Sequence, residues 1–414
     1  SLKLFSLESA LLEEKPSDLN SYLKLDLGNE KFDFISKIEV YENLSGSNND
    51  RYEYILPEYS LTTNIENDKI NGTLSFSSSG NQKLFDTNVI ESSIINDFKY
   101  SSNNFFSKLG LKNSYNFLFK NVNSNGKNSS KYKSSSQAEI RSQLIFDSSF
   151  PLKKEYPNSK ELLTPKISIR FNPSDMRNFK DTDRRISSSN IFSHNRMGFS
   201  ETLESGKSVT AGINYQKLKK STDKNEMESH EKFLEVNLAS LFRDKIEKSI
   251  PTNSTLNNKS SDIFGNVEYS PYDNINISYD FSLDNNLSTF NYNSINTKLN
   301  FENWNTELSF VEENGVIGNS NYTDFKSTYN FNDENKFSFS TRRNRKINLT
   351  EYYDLLYSYE TDCLTAGLQY KKTYYRDKDV EPNEELFFTI TIVPLTQYSP
   401  SNLMNLVKWK KKVL

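Results

Sequence analysis

Along much of this chain, apolar and polar side chains alternate in runs of about ten residues, the signature of strands whose two faces meet different surroundings. Asn274–Leu283 (NINISYDFSL) is the plainest case. Ile275, Ile277, Tyr279, Phe281 and Leu283 share one face; Asn274, Asn276, Ser278, Asp280 and Ser282 share the other. The same rhythm recurs at Leu19–Leu27, Gly206–Tyr215, Trp304–Phe310, Phe325–Phe331, Leu349–Tyr359, Leu364–Tyr370 and Leu386–Val393. In the last run Leu386, Phe388, Ile390 and Ile392 form one face. The second face is repeatedly Ser, Thr, Asn, Lys or Glu.

Segments rich in Asn, Ser, Asp, Lys and Gly separate the runs and read as turns and loops. Asn121–Ser136 and Lys217–Ser229 read as long connections, Asn332–Asn335 and Asp284–Asn286 as tight ones. Long connections alternating with short ones predict an up-and-down antiparallel sheet with one smooth rim and one elaborated rim. At roughly 20 residues per strand and connection, the chain accommodates about 18–20 strands. Helical signals are confined to Ser6–Glu14 and Ser401–Leu414. No linker divides the chain, so one architecture is expected over residues 1–400, followed by a tail at 401–414.

A sheet of that many strands rarely stays open without splitting or closing. Composition narrows the choice. The chain has 414 residues, only 35% of them hydrophobic, yet 24 Tyr and 29 Phe. That aromatic load argues against disorder. No run approaches the roughly 18 apolar residues of a spanning helix. The expected fold is all-β: a large antiparallel up-and-down transmembrane β-barrel with an apolar face to lipid and a polar face to a watery lumen. Tyr and Phe at strand ends, as in Glu351–Tyr359 and Tyr374–Tyr375, resemble interfacial girdles. Aromatics also favour strands in general, so alternation alone leaves a dry-cored soluble β-protein open.

Chemistry is sparse. The net charge of −3 gives no whole-chain attraction to nucleic acid. Nucleophile elbows, P-loops, HExxH and paired CxxC are absent, and the carboxylates sit in polar loops or alternating faces, so no catalytic residue, cofactor or metal is expected. His194 and His230 lie in polar segments and read as solvated. The basic clusters hold Arg184 and Arg185; Arg342, Arg343, Arg345 and Lys346; Lys371, Lys372 and Arg376; and Lys408–Lys412. Rim charge is the plain reading of all of them. The sharper one is contact with a phosphorylated anionic glycolipid at Arg184, Arg185, Arg342, Arg343, Arg345, Lys371, Lys372 and Arg376. Cys363 is the single cysteine, just after Glu360 and Asp362. It reads either as a free thiol or as one half of a bond to something outside this chain.

Leu349–Ile392 (LTEYYDLLYSYETDCLTAGLQYKKTYYRDKDVEPNEELFFTITI) resembles the C-terminal barrel region of the LptD, or organic solvent tolerance, family of lipopolysaccharide-assembly outer-membrane proteins. Leu163–Asn172 (LTPKISIRFN) and the block Asp183–Tyr215 agree with that family in the same order. The resemblance covers about Tyr52 to Leu395 and is strongest in the last third. It implies a barrel in the outer membrane that takes lipopolysaccharide from periplasmic bridge proteins through an N-terminal domain. It further implies an LptE-type plug lipoprotein in the lumen and release through a lateral gate. The chain then reads as an N-terminally truncated piece of such a protein. Cys363 matches the family's C-terminal cysteine position, which implies a disulfide to the N-terminal region, although Leu364 stands where many members have a second cysteine.

Two alternatives stay open. One is a general porin or ligand-gated channel of the same architecture. The other is a secreted β-rich adhesin, which requires Ile275, Ile277, Tyr279, Phe281 and Leu283 to lie inside a packed core.

Overall fold

In the computed structural model the described residues are 18–44, 50–65, 70–222, 228–374 and 382–392. The expected helices at Ser6–Glu14 and Ser401–Leu414, Arg376, and the boundary of the tail lie outside them. The early strands are β1 Asp18–Gly28, β2 Phe32–Asn43, β3 Tyr52–Ile65, β4 Gly72–Phe85, β5 Val89–Ser102, β6 Phe105–Phe106 and β7 Lys112–Lys127. There follow β8 Gln137–Ser149, β9 Leu152–Tyr156, β10 Ser159–Asn172, β11 Gly206–Thr222, β12 Glu228–Arg243, β13 Ile263–Tyr272 and β14 Ile275–Leu283. The last are β15 Phe290–Asn300, β16 Trp304–Glu313, β17 Asn321–Asn330, β18 Asn335–Asn344, β19 Leu349–Glu360, β20 Leu364–Thr373 and β21 Glu384–Ile392. All 21 belong to one sheet. The one helical element among the described residues is the 3-10 turn Thr252–Ser254.

Every alternating run of the sequence falls on a strand, with Asn274 and Phe331 just outside strand ends and Val393 outside the described residues. The strand count exceeds the expected 18–20 because of β6, two residues long, and β9, five long. Both are lips on a neighbouring hairpin. β6 pairs with the start of β7, while β5 pairs with the body of that strand. β9 pairs with Ser159–Leu163 of β10, and β8 takes over at Lys166–Phe171. Otherwise neighbours in the chain pair antiparallel, as in β10–β11, β11–β12 and β18–β19.

The described residues form two compact units, 18–297 with 309–321, and 298–308 with 322–392. In the first, connections alternate between two ends. At one end 29–31 and 273–274 are tight; at the other 44–51, 128–136, 173–205 and 244–262 are long. The tight turns expected at Asp284–Asn286 and Asn332–Asn335 fall between strands, except that Asn335 opens β18, and 128–136 is a long connection as expected, but both expected long connections were drawn too wide. Asn121–Lys127 extends β7, and Lys217–Thr222 with Glu228 and Ser229 extends β11 and β12. Their Asn, Ser and Lys content reads as loop only if a strand's polar face has to be a minority of its residues.

Burial runs opposite to that of a water-soluble protein. On β7, Tyr115, Phe117 and Phe119 are exposed, whereas Lys120, Val122 and Ser124 are buried. On β8, Ile140 and Leu144 are exposed while Arg141, Gln143 and Ile145 are buried. On β10, Ile167, Ile169 and Phe171 are exposed, and Ser168, Arg170 and Asn172 are at most 2% exposed. β11 and β12 repeat it: Val209, Ile213, Leu238 and Phe242 outside, Ser208, Thr210, Leu241 and Arg243 inside. On β14 none of Ile275, Ile277, Tyr279, Phe281 and Leu283 is buried, whereas Ser282 on the opposite face is. Leaving a large apolar side chain in water forgoes about 1.5–3 kcal/mol relative to burying it. Repeated along one face of successive strands, that loss is untenable in water and vanishes in hydrocarbon. The dry core required of the adhesin is absent from β14.

Leu144 lies near the middle of β8 on this outward face. Leu144→Arg is expected to destabilise the protein by about 2–4 kcal/mol in phospholipid vesicles, the cost of a cation near the bilayer mid-plane. On a water-facing surface the same change costs within about 0.5 kcal/mol. Urea unfolding in vesicles separates the two.

Candidate functional site

The polar faces of β7, β8, β10, β11 and β12 are buried because the segments 173–205 and 244–262 lie against them. Neither segment is regular apart from the 3-10 turn, so their backbone groups need partners from elsewhere. Inward arginines supply them, since a guanidinium carries five donors in a fixed fork. Arg170 donates to the carbonyls of Phe192, Ser193 and His194 at 3.2, 2.6 and 3.1 Å. Arg141 donates to Asp175 O at 2.9 Å. Arg243 donates to Leu256 O at 2.6 Å and Ser205 O at 3.0 Å. Asn172 and Gln143 both donate to Glu204 O, at 3.0 and 3.1 Å.

Two charge networks bind the segments to the strands. In the deeper one Arg196 grips Glu204 with both arms, Nε to Oε2 at 2.6 Å and Nη2 to Oε1 at 2.5 Å. Its remaining donors reach Thr210 Oγ1 and Ser208 Oγ on β11 at 2.8 and 3.0 Å. Arg243 also pairs with Glu204. Burial raises the Glu204 carboxyl, but the charges of Arg196 and Arg243 outweigh it and hold the group well below the usual carboxylate range. In the shallower network Arg177 bridges Glu139 of β8 at 2.9 Å and Glu201 at 2.6 Å. Glu201 also accepts from the Tyr132 hydroxyl at 2.6 Å and pairs with Lys131 at 2.5 Å. Against the opposing cost of burial, the hydrogen bonds from Lys131 and Tyr132 hold its carboxyl below the ordinary value.

An apolar knot completes the packing. Met176, Ile186, Ile191 and Met197 from the first segment meet Ile250 and Leu256 from the second and Ala239, Leu241 and Phe264 from the strands. Phe179 and Phe199 stack with centroids 3.9 Å apart beside it. Gly212 of β11 is a close-approach position: a Cβ there would lie 2.8 Å from the Phe192 ring. The segments are tied to each other where Phe179 donates to Ser249 O at 2.9 Å and Thr252 to Lys180 O at 3.0 Å. This inner cover escapes sequence reading because its apolar residues follow no helical or strand period. Its only signal is Met176, Ile186, Ile191 and Met197 scattered through an otherwise polar stretch.

The basic residues singled out from the sequence are not brought to one place. Arg184 caps Arg196 O with two donors at 2.9 and 2.6 Å. Arg185 pairs with Glu313 and stands 4.7 Å over the Tyr292 ring. Arg342 pairs with Asp324 at 3.2 Å and Glu351 at 3.7 Å. Lys372 pairs with Glu384 at 2.9 Å, and Lys371 stands opposite Asp354 and Glu385 in the sheet. Arg343 and Arg345 are exposed at the β18–β19 turn. His194, expected to be solvated, is 3.6 Å from Asp147, part of the inner cover; the His230 side chain lies outside the described residues. Cys363 is a partly buried free thiol in the turn before β20, its Sγ 3.9 Å from Thr361 Oγ1.

Glu204→Gln leaves Arg196 and Arg243 buried without their counter-charge, and loss of one partner of such a pair costs about 3–5 kcal/mol. Limited proteolysis is expected to cut within 173–205 faster in this variant. Because Glu204 and Glu201 titrate lower in the folded protein than their ordinary value of 4.5, their contribution is complete above that value and is withdrawn as pH falls below it. Cleavage in 173–205 by an acid-active protease is expected to accelerate below pH 4.5 in the parent and to respond less in Glu204→Gln.

Among solved structures the chain is loosely similar to the siderophore receptor PirA from Acinetobacter baumannii, with 9% identity and a TM-score of 0.37 over 90% of this chain and 70% of that one. PirA from Pseudomonas aeruginosa gives 8% and 0.35 over 91% and 76%, and the copper transporter OprC 8% and 0.34 over 90% and 68%. No curated protein sequence matches. A family model, LptD: LPS transport system D, matches residues 8–334. That span ends before Leu349–Ile392, the block that carries most of the motif resemblance, and includes Leu163–Asn172 and Asp183–Tyr215. It runs through the strands of inverted polarity and the segments packed on their inner face, and by this match the chain belongs to the LptD family of outer-membrane, lipopolysaccharide-transport β-barrel proteins.

Proposed function

We propose that the protein assembles lipopolysaccharide into the outer leaflet, passing it along the inward polar face and out through a lateral gate, with no covalent chemistry of its own. The observation that carries this reading is a sheet with lipid-facing apolar and inward polar sides in a chain that matches the LptD family. Residues 1–400 would form the barrel domain. Lipopolysaccharide would arrive from periplasmic bridge proteins through an N-terminal domain, and an LptE-type lipoprotein would occupy the lumen. In outer-membrane barrels the short turns face the periplasm and the long loops the outside. On that rule the covered end, with 173–205 and 244–262, faces the cell exterior. A general porin is less well supported: an open aqueous channel would wet the inner faces of β8, β10 and β11, where Gln143, Arg170 and Thr210 are at most 2% exposed.

Site-specific photo-crosslinking of the full-length protein in cells tests the reading. Crosslinkers at Asp97, Asn266 and Asp280, on inward faces of β5, β13 and β14, are expected to capture lipopolysaccharide, and one at Leu144 on the outward face to capture far less. Equal capture everywhere, or none inward, contradicts transport along the inner face. Cys363 would be bonded to a cysteine in the N-terminal region. A maleimide reagent is then expected to label Cys363 of the full-length protein from cells only after reduction.

A further inference from the structure

Within the second compact unit, Thr323, Phe325, Thr341, Arg343, Arg345 and Asn348 line a groove of about 540 Å³ at the β18–β19 turn. Its walls are outward side chains. Thr323 stands opposite Arg343 and Phe325 opposite Thr341 in the β17–β18 register. Two-residue periodicity puts Phe337, Phe339 and Arg343 on the same face of β18, and the β18–β19 register adds Tyr353 and Tyr357. Arg342, one residue away, is on the other face with Asp324 and Glu351. The Arg343 guanidinium donates to Asn348 Oδ1 at 2.5 Å, which fixes it at the turn.

The groove is amphipathic along its length. One end carries two guanidiniums, two threonine hydroxyls and an amide, and no carboxylate lines it. From the other end an aromatic lane continues across the sheet, with Phe325 and Phe339 centroids 6.0 Å apart and Phe339 and Tyr353 6.2 Å apart. Guanidinium forks match phosphate oxygens bidentately. A free anion has no use for the lane, and hydrocarbon has none for the guanidiniums. On a face that meets the bilayer the molecule satisfying both ends is a lipid with a phosphate headgroup.

We propose that this groove is a seat for one anionic phospholipid, its phosphate on Arg343 and Arg345 and a chain along Phe325, Phe339 and Tyr353. This seat lies outside the sheet's inward face, and its occupancy rests on the strands facing lipid, not on the transport of cargo.

Native mass spectrometry of the full-length protein, titrated with short-chain phosphatidylglycerol or with phosphatidylcholine of the same chains, tests it. Phosphatidylglycerol is expected to bind more tightly, and Arg343→Gln with Arg345→Gln to weaken it about tenfold, equivalent to about 1.4 kcal/mol. Arg342→Gln alone removes a charge from the other face and is expected to change binding less than twofold, whereas Arg343→Gln alone weakens it clearly. Should the double variant fail to assemble, Asn348→Asp sets a carboxylate beside Arg343 and is expected to give the same loss. Unchanged affinity in both, or an equal loss in Arg342→Gln, overturns the seat. Displacement of the lipid by inorganic phosphate at similar concentration overturns the lipid as its occupant.

Discussion

A strand that crosses a bilayer has to satisfy two solvents at once, because its side chains alternate sides and its backbone cannot be left unpaired in hydrocarbon. Antiparallel pairing along β2–β3, β10–β11 or β17–β18 removes the backbone problem by giving each group a cross-strand partner. The side chains then sort by solvent, Ile167, Ile169 and Phe171 to one face and Ser168, Arg170 and Asn172 to the other. That division leaves a polar face needing polar company. Everything distinctive about the first compact unit follows from what fills that need.

The filling is irregular backbone, and this explains the arginines. A segment such as 173–205 without helix or strand brings many unpaired carbonyls into a buried place. Hydroxyls and amides donate one or two hydrogen bonds each, whereas Arg170, Arg141 and Arg243 each reach two or more acceptors from a strand position. Several buried guanidiniums need counter-charge, and Glu204 and Glu201 provide it from the segment itself. The burial cost that opposes ionisation of Glu204 is overcome because two guanidiniums converge on it. The apolar knot around Ile191, Leu241 and Leu256 supplies the non-directional remainder.

Much of this was legible in the sequence, and the illegible part has a physical cause. Asn274–Leu283 shows its two faces directly, because both solvents leave their mark on a two-residue period. Alternation does not say which solvent is which; the burial of Ser282 against the exposure of Leu144 and Ile140 does. The second half of β7 looked like loop because Asn121, Asn123 and Asn125 continue the face of Tyr115, Phe117 and Phe119 with turn-forming residues, while only Val122 breaks the polar run. The inner cover was invisible since Met176, Ile186, Ile191 and Met197 converge only after the chain has folded back on the sheet. Among the basic residues, parity was available and unused: Arg342 and Arg343 are consecutive on a strand, so they cannot serve one site.

That parity bears on how an anionic cargo moves. A pathway works only if each site binds strongly enough to be entered and weakly enough to be left, as in channels. Arg342, on the inward face, already has Asp324 and Glu351 for company, and Arg170 already caps three carbonyls. If cargo passes along the inward face as proposed, its phosphate meets Arg342 already paired and is held briefly, whereas Arg170, 2% exposed under the inner cover, is closed to it. Arg343 faces outward beside an aromatic lane in a groove with no lining carboxylate, conditions suited to a resident lipid. On the proposed reading, opposite faces of one hairpin separate holding from passage, and a cargo phosphate would gain least at Arg342, the arginine neutralised by two carboxylates.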